Sequence, residues 1–575
     1  MIETHKLAKE KGWVVGVDYP EWGNNSAYLT TINGGYLQES ETPKNAYDRL
    51  AKRASELIKK PEFESKFLEI FWKGWLIPST PVMANFGTEY NLPISCFGSV
   101  VGDSMYDIGR KNLEMLILSK HGGGTSYSFD NIRDIGSPIK GGKLGLSDGI
   151  LPFMKMFDSS VVASRQGLTR RGATSLFLST KSKQFKEFLK IRQPKGDVNT
   201  QCLNVHQGAI IDDEFMQKLV ARDIKTVDTW KDVMKARLET GEPYLFFKDN
   251  VNKNLGENWK SNNLSVKHTN LCSEIMLPND EKHTFVCCLS SLNLLKFDEF
   301  KNTDTVFLAT IFLDAIIEEF IQKAKNIQGI EDSVRFAEKS RALGLGVMGW
   351  HSFLQSKNLP FIGIASNSWT NIIFGHIKNE AERASKWLAE EFGEPEWMKD
   401  TGKRNLTLTT IPPTRSSSKL AHNASQSIEP LNSNIYSDAS AKGTMIVRNQ
   451  FLEKLLTEKG MNTIEIWDNI SDCDGSVQHL DFLTKDEKDV FLTFREINQL
   501  ELIKQASLRQ KYICQGQSLN LAFFQDASAK WINKVHITAW ELGLKSLYYL
   551  KSQSKIRVSN VNQRDLYTEC LNCEG

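Results

Sequence analysis

The 575-residue chain has almost no net charge: 71 Lys and Arg against 69 Asp and Glu leave +2 at neutral pH. That balance excludes the basic excess of a dedicated nucleic-acid or anionic-membrane binder. Long apolar runs are missing too, and no stretch approaches the roughly 18 uninterrupted apolar residues of a membrane span. The opening MIETHKLAKEKGW lacks the apolar core of a signal peptide, so a cytoplasmic location is expected. Nine scattered cysteines are too few for a disulfide scaffold. There is no internal repeat, no low-complexity linker, no Walker A sequence and no Gly-x-Gly-x-x-Gly fingerprint. His121-Gly122-Gly123-Gly124 and Gly145-Leu146-Ser147-Asp148-Gly149 look like serine-hydrolase motifs. They stand only about twenty residues apart, too close for the strands and helices that fold requires between them.

What is present is ordinary globular material, 40% hydrophobic and 24% charged, enough for a sizeable core. Length alone suggests about four domains at roughly 150 residues each. The pattern points instead to one continuous α/β unit over residues 61–554. Strand-like runs alternate there with amphipathic helical stretches: Gly208–Ile211 precedes a helix from Asp213, and Tyr244–Phe247 follows one around Thr229–Leu238. Such alternation predicts parallel strand pairing and a possible barrel. Residues 1–60 read as a short helical N-terminal region, helical near Tyr47–Lys59. Residues 555–575 are polar and without periodicity, and read as a flexible tail.

Four constellations carry chemistry. The tail ends in Glu-Cys-Leu-Asn-Cys-Glu-Gly, and Cys570 and Cys573 form a vicinal pair suited to thiol–disulfide exchange. A structural zinc site would need a second pair nearby, and none is there, so no metal is expected. Read as an extended segment, Asn270-Leu271-Cys272-Ser273-Glu274 presents Asn270, Cys272 and Glu274 on one face. A carboxylate raises the pKa of a neighbouring thiol, so the arrangement suits a sulfur that gives up a hydrogen atom rather than a thiolate nucleophile. Cys96 lies on one strand-like run and the adjacent Cys287 and Cys288 on another; a redox pair between them requires the fold to join these runs. Finally, Thr414-Arg415-Ser416-Ser417 opens a helical segment, an arrangement suited to a diphosphate, with a serine-rich N-cap as the plain alternative. The loop Arg165–Ala173, with Arg170 and Arg171, is basic and glycine-containing and suits a phosphorylated ligand or plain solvent.

In chain order the sequence reads SCFGS, GSPIKGG, RRGATS, NLCSEIMLP, CCLSSLNL, PPTRSSSKL…IEP, CQGQSLNL, LGLKSLYYL and a terminal CLNC. This ordered set resembles the large, catalytic (α) subunit of a ribonucleotide reductase over residues 65–575. The resemblance implies a ten-stranded α/β barrel with a central finger loop. It implies that Cys272 is the thiyl-radical cysteine, Glu274 the carboxylate that takes the 3′-hydroxyl proton and Asn270 the amide that orients substrate. Cys96 and Cys287 would be oxidised as the 2′-hydroxyl leaves as water, with Cys288 the competing partner. Cys570 and Cys573 would re-reduce that pair and be reduced in turn by thioredoxin or glutaredoxin.

The resemblance also implies a ribonucleoside diphosphate substrate whose phosphates meet Thr80, Ser95, Thr414, Arg415, Ser416 and Ser417. Tyr548 and Tyr549 resemble the pair that relays a radical from a small, metal-containing β subunit. That places the chain in class I, with no cofactor of its own; the alternative is the adenosylcobalamin-dependent class II. Asp103, Arg133, Arg170 and Arg171 resemble contacts to dNTP or ATP specificity effectors, and a homodimer is expected. Only about 60 residues precede the barrel motifs, fewer than the roughly 90 of an N-terminal ATP-cone, so that activity switch is expected to be missing.

Overall fold

The computed structural model describes residues 4–164, 172–193, 198–440 and 443–552. Strands alternate with helices, and the strands form a ring. In one half, Cys96–Val100, Gly124–Ser128, Thr174–Ser179, His206–Ile211 and Tyr244–Phe247 pair in parallel in that order. In the other half, Phe285–Asn293 pairs in parallel with Leu343–Met348, and Leu345 bridges to Thr409. Ile411 bridges to Gln517, and Leu521–Phe523 pairs in parallel with Leu550–Ser552.

Two antiparallel seams close the ring. Cys96–Val100 runs against Phe285–Asn293 at one, and Ser546–Leu547 runs against Tyr244–Phe247 at the other. The architecture is thus the expected ten-stave α/β barrel. The staves at residues 409–411 and 515–518 are short, tied by Gln515 N–H to Thr409 O (3.1 Å), Ile411 N–H to Gly516 O (3.0 Å) and Ser518 N–H to Ile411 O (2.8 Å). Their remaining donors turn inward to a loop that fills the barrel.

Strand composition explains the layering. All nine residues of Phe285–Asn293 are buried, as expected for a strand covered on both faces. The helix Thr305–Ala324 lies against it and is buried nearly all round, because Ile364–Phe392 covers its far side. One apolar core extends from Ala8 to Leu550. A small satellite core, built around Leu452, Leu456, Trp467, Ile470 and Phe491, sits under the helices Gln450–Glu458 and Ile464–Asp472.

The N-terminal stretch is helical, with Ser26–Ile32 and Pro43–Leu57 the ordered pieces that matter below. Thr42 caps the second by accepting from Asn45 N–H, Pro43 opens it, and Ala46, Leu50 and Ala54 turn one stripe into the core. Cys570 and Cys573 lie outside the described residues, as do Arg170 and Arg171. Among the described residues no helix is long and apolar enough to cross a membrane.

Candidate active site

Residues 264–284 connect the two barrel halves and pass through the interior. Leu271, Ile275, Met276 and Leu277 of this finger loop are buried, each contributing roughly 1.5–3 kcal/mol of apolar burial. At the tip the chain is not extended. Ser273 has φ +67° and its N–H donates to Asn270 O at 3.2 Å, so residues 270–274 form a tight turn. Strand alternation therefore does not bring Asn270 and Glu274 together; the turn does. Asn270 Oδ1 accepts from the Glu274 and Ile275 N–H groups at 3.0 and 3.1 Å and thereby closes it.

The Asn270 amide then joins two further groups. Its Nδ2 donates to Glu274 Oε1 at 3.0 Å and to Cys96 Sγ at 3.3 Å. Ser518 donates to the carbonyl of Cys272 and lies 3.1 Å from Glu274 Oε2. Gly516 N–H donates to Glu274 O (2.8 Å), and Thr410 Oγ1 donates to the same oxygen (2.9 Å). A Cβ at Gly516 would stand 3.0 Å from that carbonyl, which is why glycine holds this close approach. Gln515 Oε1 accepts from Met276 N–H, and Ser546 donates to Ser273 O at 2.5 Å. Backbone and side chain together hold the tip from several sides of the barrel.

Glu274 is fully buried, and among the described residues no cation lies within bonding reach. Burial raises its carboxyl from 4.5 to about 7, against the lowering effect of hydrogen bonds from its own N–H, Asn270 and Ser518. A carboxyl tuned to neutrality can exchange a proton at working pH, which an ordinary glutamate cannot do efficiently.

Cys96 and Cys287 are directly paired residues at the first seam and are unbridged, buried thiols. Burial pushes the Cys287 thiol well up, with further contributions from the neighbouring Cys96 and Glu274. A Cβ at Gly344 would come within 3.0 Å of Cys287 Sγ, so glycine there leaves the thiol its room. Alternation sends Cys288 to the other face of the strand, where its charged neighbour is Asp314 of the covering helix. Of the two adjacent cysteines, Cys287 is the one that shares space with Cys96 and Glu274.

Tyr548 and Tyr549 are buried at the second seam with ring centroids 4.3 Å apart. Tyr244, which the sequence did not single out, packs against both at 4.7 and 5.0 Å. The Tyr549 hydroxyl is 3.4 Å from His206 Nδ1, itself 2.6 Å from Glu242 Oε1. Arg237 donates to the carbonyl of Tyr548 at 3.0 Å, and Asn520 accepts from the Tyr549 N–H.

Thr414 precedes the six-residue helix Arg415–Leu420, and its Oγ1 accepts from Ser427 N–H at 2.8 Å. Thr80 opens the helix Thr80–Asn85, and the preceding Ser79 hydroxyl lies 3.4 Å from that of Ser95. The helix Arg415–Leu420 packs against the strand Leu76–Pro78, and Thr80–Asn85 follows that strand directly, so both lie beside the strand that pairs with Phe285–Asn293. Asp103 and Arg133 meet as a half-exposed ion pair, Nε to Oδ2 2.8 Å. Ser518, Gln515, Ser546 and Tyr244 are the site neighbours that residue-level reading missed. The first three lie inside the quoted CQGQSLNL and LGLKSLYYL motifs, whereas Tyr244 carries no signal beyond its apolar strand.

A strand-built barrel with a buried thiol and carboxyl at the tip of a central loop, facing a cysteine pair on the wall, defines a radical-type reductase scaffold. The family described as "Ribonucleotide reductase, barrel domain" matches residues 94–226, 218–401 and 395–550. The chain belongs to the ribonucleotide reductase family. A Frog virus 3 (isolate Goorha) chain assigned as a ribonucleoside-diphosphate reductase large subunit is 35% identical over 537 residues, covering 90% of this chain and 93% of that one. The ribonucleoside-diphosphate reductase large subunit of Invertebrate iridescent virus 3 is 31% identical over 627 residues, covering 95% and 98%. Among solved structures, the Actinobacillus ureae class Id ribonucleotide reductase alpha subunit superposes with a TM-score of 0.86 at 41% identity, covering 93% of this chain and 98% of that one.

Proposed function

We propose that the chain is the catalytic subunit of a class I ribonucleoside-diphosphate reductase, which converts ribonucleotides to 2′-deoxyribonucleotides. One observation carries this reading: Asn270 ties the Cys96 thiol and the Glu274 carboxyl to the same loop tip that bears Cys272. Cys272, as a thiyl radical, takes the hydrogen atom from C3′, forming S–H and leaving a carbon radical. Glu274 accepts the 3′-hydroxyl proton, for which its near-neutral pKa is suited. The 2′-hydroxyl leaves as water, protonated by the Cys96–Cys287 pair. One thiol protonates the leaving water and the other delivers its hydrogen to C2′. The pair thereby supplies two electrons and becomes a disulfide, Glu274 returns its proton to the 3′ oxygen, and Cys272 returns its hydrogen atom to C3′. Asn270 holds the carboxyl and thiol in register throughout.

The substrate diphosphate rests on Thr80, Ser95, Thr414, Arg415, Ser416 and Ser417. The oxidising equivalent comes from a separate β subunit carrying a metal, and Tyr548 and Tyr549 relay it to Cys272. Close packing of the two buried rings supports that role. Cys570 and Cys573 reopen the disulfide by exchange, with thioredoxin or glutaredoxin as the final reductant. Asp103 and Arg133, with Arg170 and Arg171, bind a dNTP or ATP effector. Met105, Tyr106, Leu113 and Val162 are exposed apolar side chains on the packed helices Met105–Lys120 and Leu151–Ala163, and they support a homodimer through that face.

The test is CDP reduction by the full chain with a metal-loaded β subunit, beside the same chain given adenosylcobalamin alone. Turnover only with the β subunit is the expected result. Turnover with cobalamin and no second protein overturns the class I reading.

A further inference from the structure

The two segments proposed to hold the substrate phosphates rest on the same N-terminal stretch. The helix Ser26–Ile32 packs against Arg415–Leu420. A few residues later the chain grips the helix Thr80–Asn85 along its whole length. The buried Tyr36 hydroxyl lies 2.9 Å from Thr80 Oγ1 at the start of that helix. Gln38 Nε2 donates to Ala84 O at 2.6 Å near its end. Arg49 donates to Met83 O at 2.9 Å and to the carbonyl of Phe86, so carbonyls with no partner inside the helix are satisfied from outside. Glu41 completes the grip, accepting from Arg49 Nε at 2.8 Å and from Gln38 N–H at 2.9 Å.

The Gln38 and Arg49 contacts hold the helix by its backbone carbonyls. Tyr36 is different because its partner is the side-chain hydroxyl of a half-exposed residue rather than a backbone group. A hydroxyl has one proton and two lone pairs. When the phenol donates to Thr80 Oγ1, the threonine proton can no longer be spent on Tyr36 and is directed to an acceptor in the cleft.

We propose that Tyr36 is a positioning residue for the substrate diphosphate. Its O–H donates to Thr80 Oγ1 and so commits the Thr80 proton to a phosphate oxygen. The inference rests on the reading of Thr80 as a phosphate contact. It goes beyond that reading by making the N-terminal stretch part of the substrate site. The acceptor is the anionic phosphate, so the effect belongs to phosphorylated substrates and not to the bare nucleoside.

The experiment uses the full chain, wild type, Tyr36→Phe, Thr80→Val and the double variant. CDP and cytidine binding are measured by calorimetry, and CDP turnover is measured with the β subunit. Tyr36→Phe keeps the ring and loses one hydrogen bond, so CDP affinity should weaken about five- to tenfold and KM should rise by a similar factor. Cytidine affinity, kcat and the melting temperature should stay at wild-type values. The double variant should bind CDP no more weakly than Thr80→Val alone, because both changes remove one linked interaction. Unchanged CDP affinity in Tyr36→Phe, an equal loss for cytidine, or additive losses in the double variant overturns the inference while leaving the reductase reading intact. Failure of the wild-type chain to bind CDP at all overturns both.

Discussion

Cys96 and Cys287 stand directly opposite each other across the antiparallel seam, although 190 positions separate them in the chain. Cross-strand partners of this kind have Cβ atoms roughly 4.5–5.5 Å apart, so a small adjustment brings the sulfurs to bonding distance. The seam thus stores a dithiol that can close without rearranging the barrel.

Closing that bond is directly measurable. A single turnover without external reductant should leave one Cys96–Cys287 disulfide, identified by peptide mass spectrometry. Cys287→Ser should abolish reductant-coupled turnover. Cys288→Ser should retain most of it, because Cys288 faces the covering helix and Asp314. A Cys96–Cys288 crosslink in the oxidised protein would refute the assignment.

Glu274 gives a pH signature with a definite sign. Burial raises its carboxyl from 4.5 to about 7, so between those values the folded chain holds a proton that the unfolded chain has released. Stability contributed by this group therefore falls as pH rises through that window. Glu274→Gln removes the effect, and its melting temperature should gain on wild type between pH 5 and pH 8. Turnover should fall by about 10²–10⁴, the usual worth of a positioned proton acceptor. An identical gap in melting temperature at both pH values would show that the carboxyl titrates normally.

Ser518 reaches both sides of the loop tip, its single hydroxyl proton serving the Cys272 carbonyl or the Glu274 carboxylate. Its hydrogen bond lowers the Glu274 pKa. Ser518→Ala should therefore shift the acidic limb of the kcat profile to higher pH and reduce kcat about ten- to a hundredfold, the cost of one hydrogen bond to a charged group. A lower kcat with an unmoved limb would mean that Ser518 holds only the loop.

Tyr548→Phe and Tyr549→Phe each delete a redox-active hydroxyl while keeping a ring that packs against Tyr244. Either change should stop turnover driven by the β subunit, with melting temperature and CDP affinity unchanged. Retained turnover in either variant would remove that tyrosine from the relay.

The barrel and the thiol–carboxyl tip were legible because local patterns carry them: strand–helix alternation for one, the run Asn270–Glu274 for the other. The way the tip works was not legible. Strand alternation and a turn both bring residues 270 and 274 together, and only the positive φ of Ser273 tells them apart. Choosing Cys287 over Cys288 from residues alone was equally out of reach, because it depends on register against a strand some 190 positions away. Tyr244 and Tyr36 escaped for a related reason. Tyr244 sits in a strand whose pattern is fully explained by burial and Tyr36 in a polar, turn-rich stretch without a motif, and the distinguishing neighbour of each comes from a distant part of the chain.

The two seams lie on opposite sides of the ring, and the finger loop touches both: Asn270 reaches Cys96 at one, and Ser546 reaches Ser273 at the other. In the proposed mechanism the hole arrives on the tyrosine side and the reducing pair waits on the cysteine side. The insulating width of the barrel lies between them, and the loop tip is the only crossing among the described residues that carries a thiol. An oxidant and a reductant that would quench each other in solution are thereby made to meet only through the substrate.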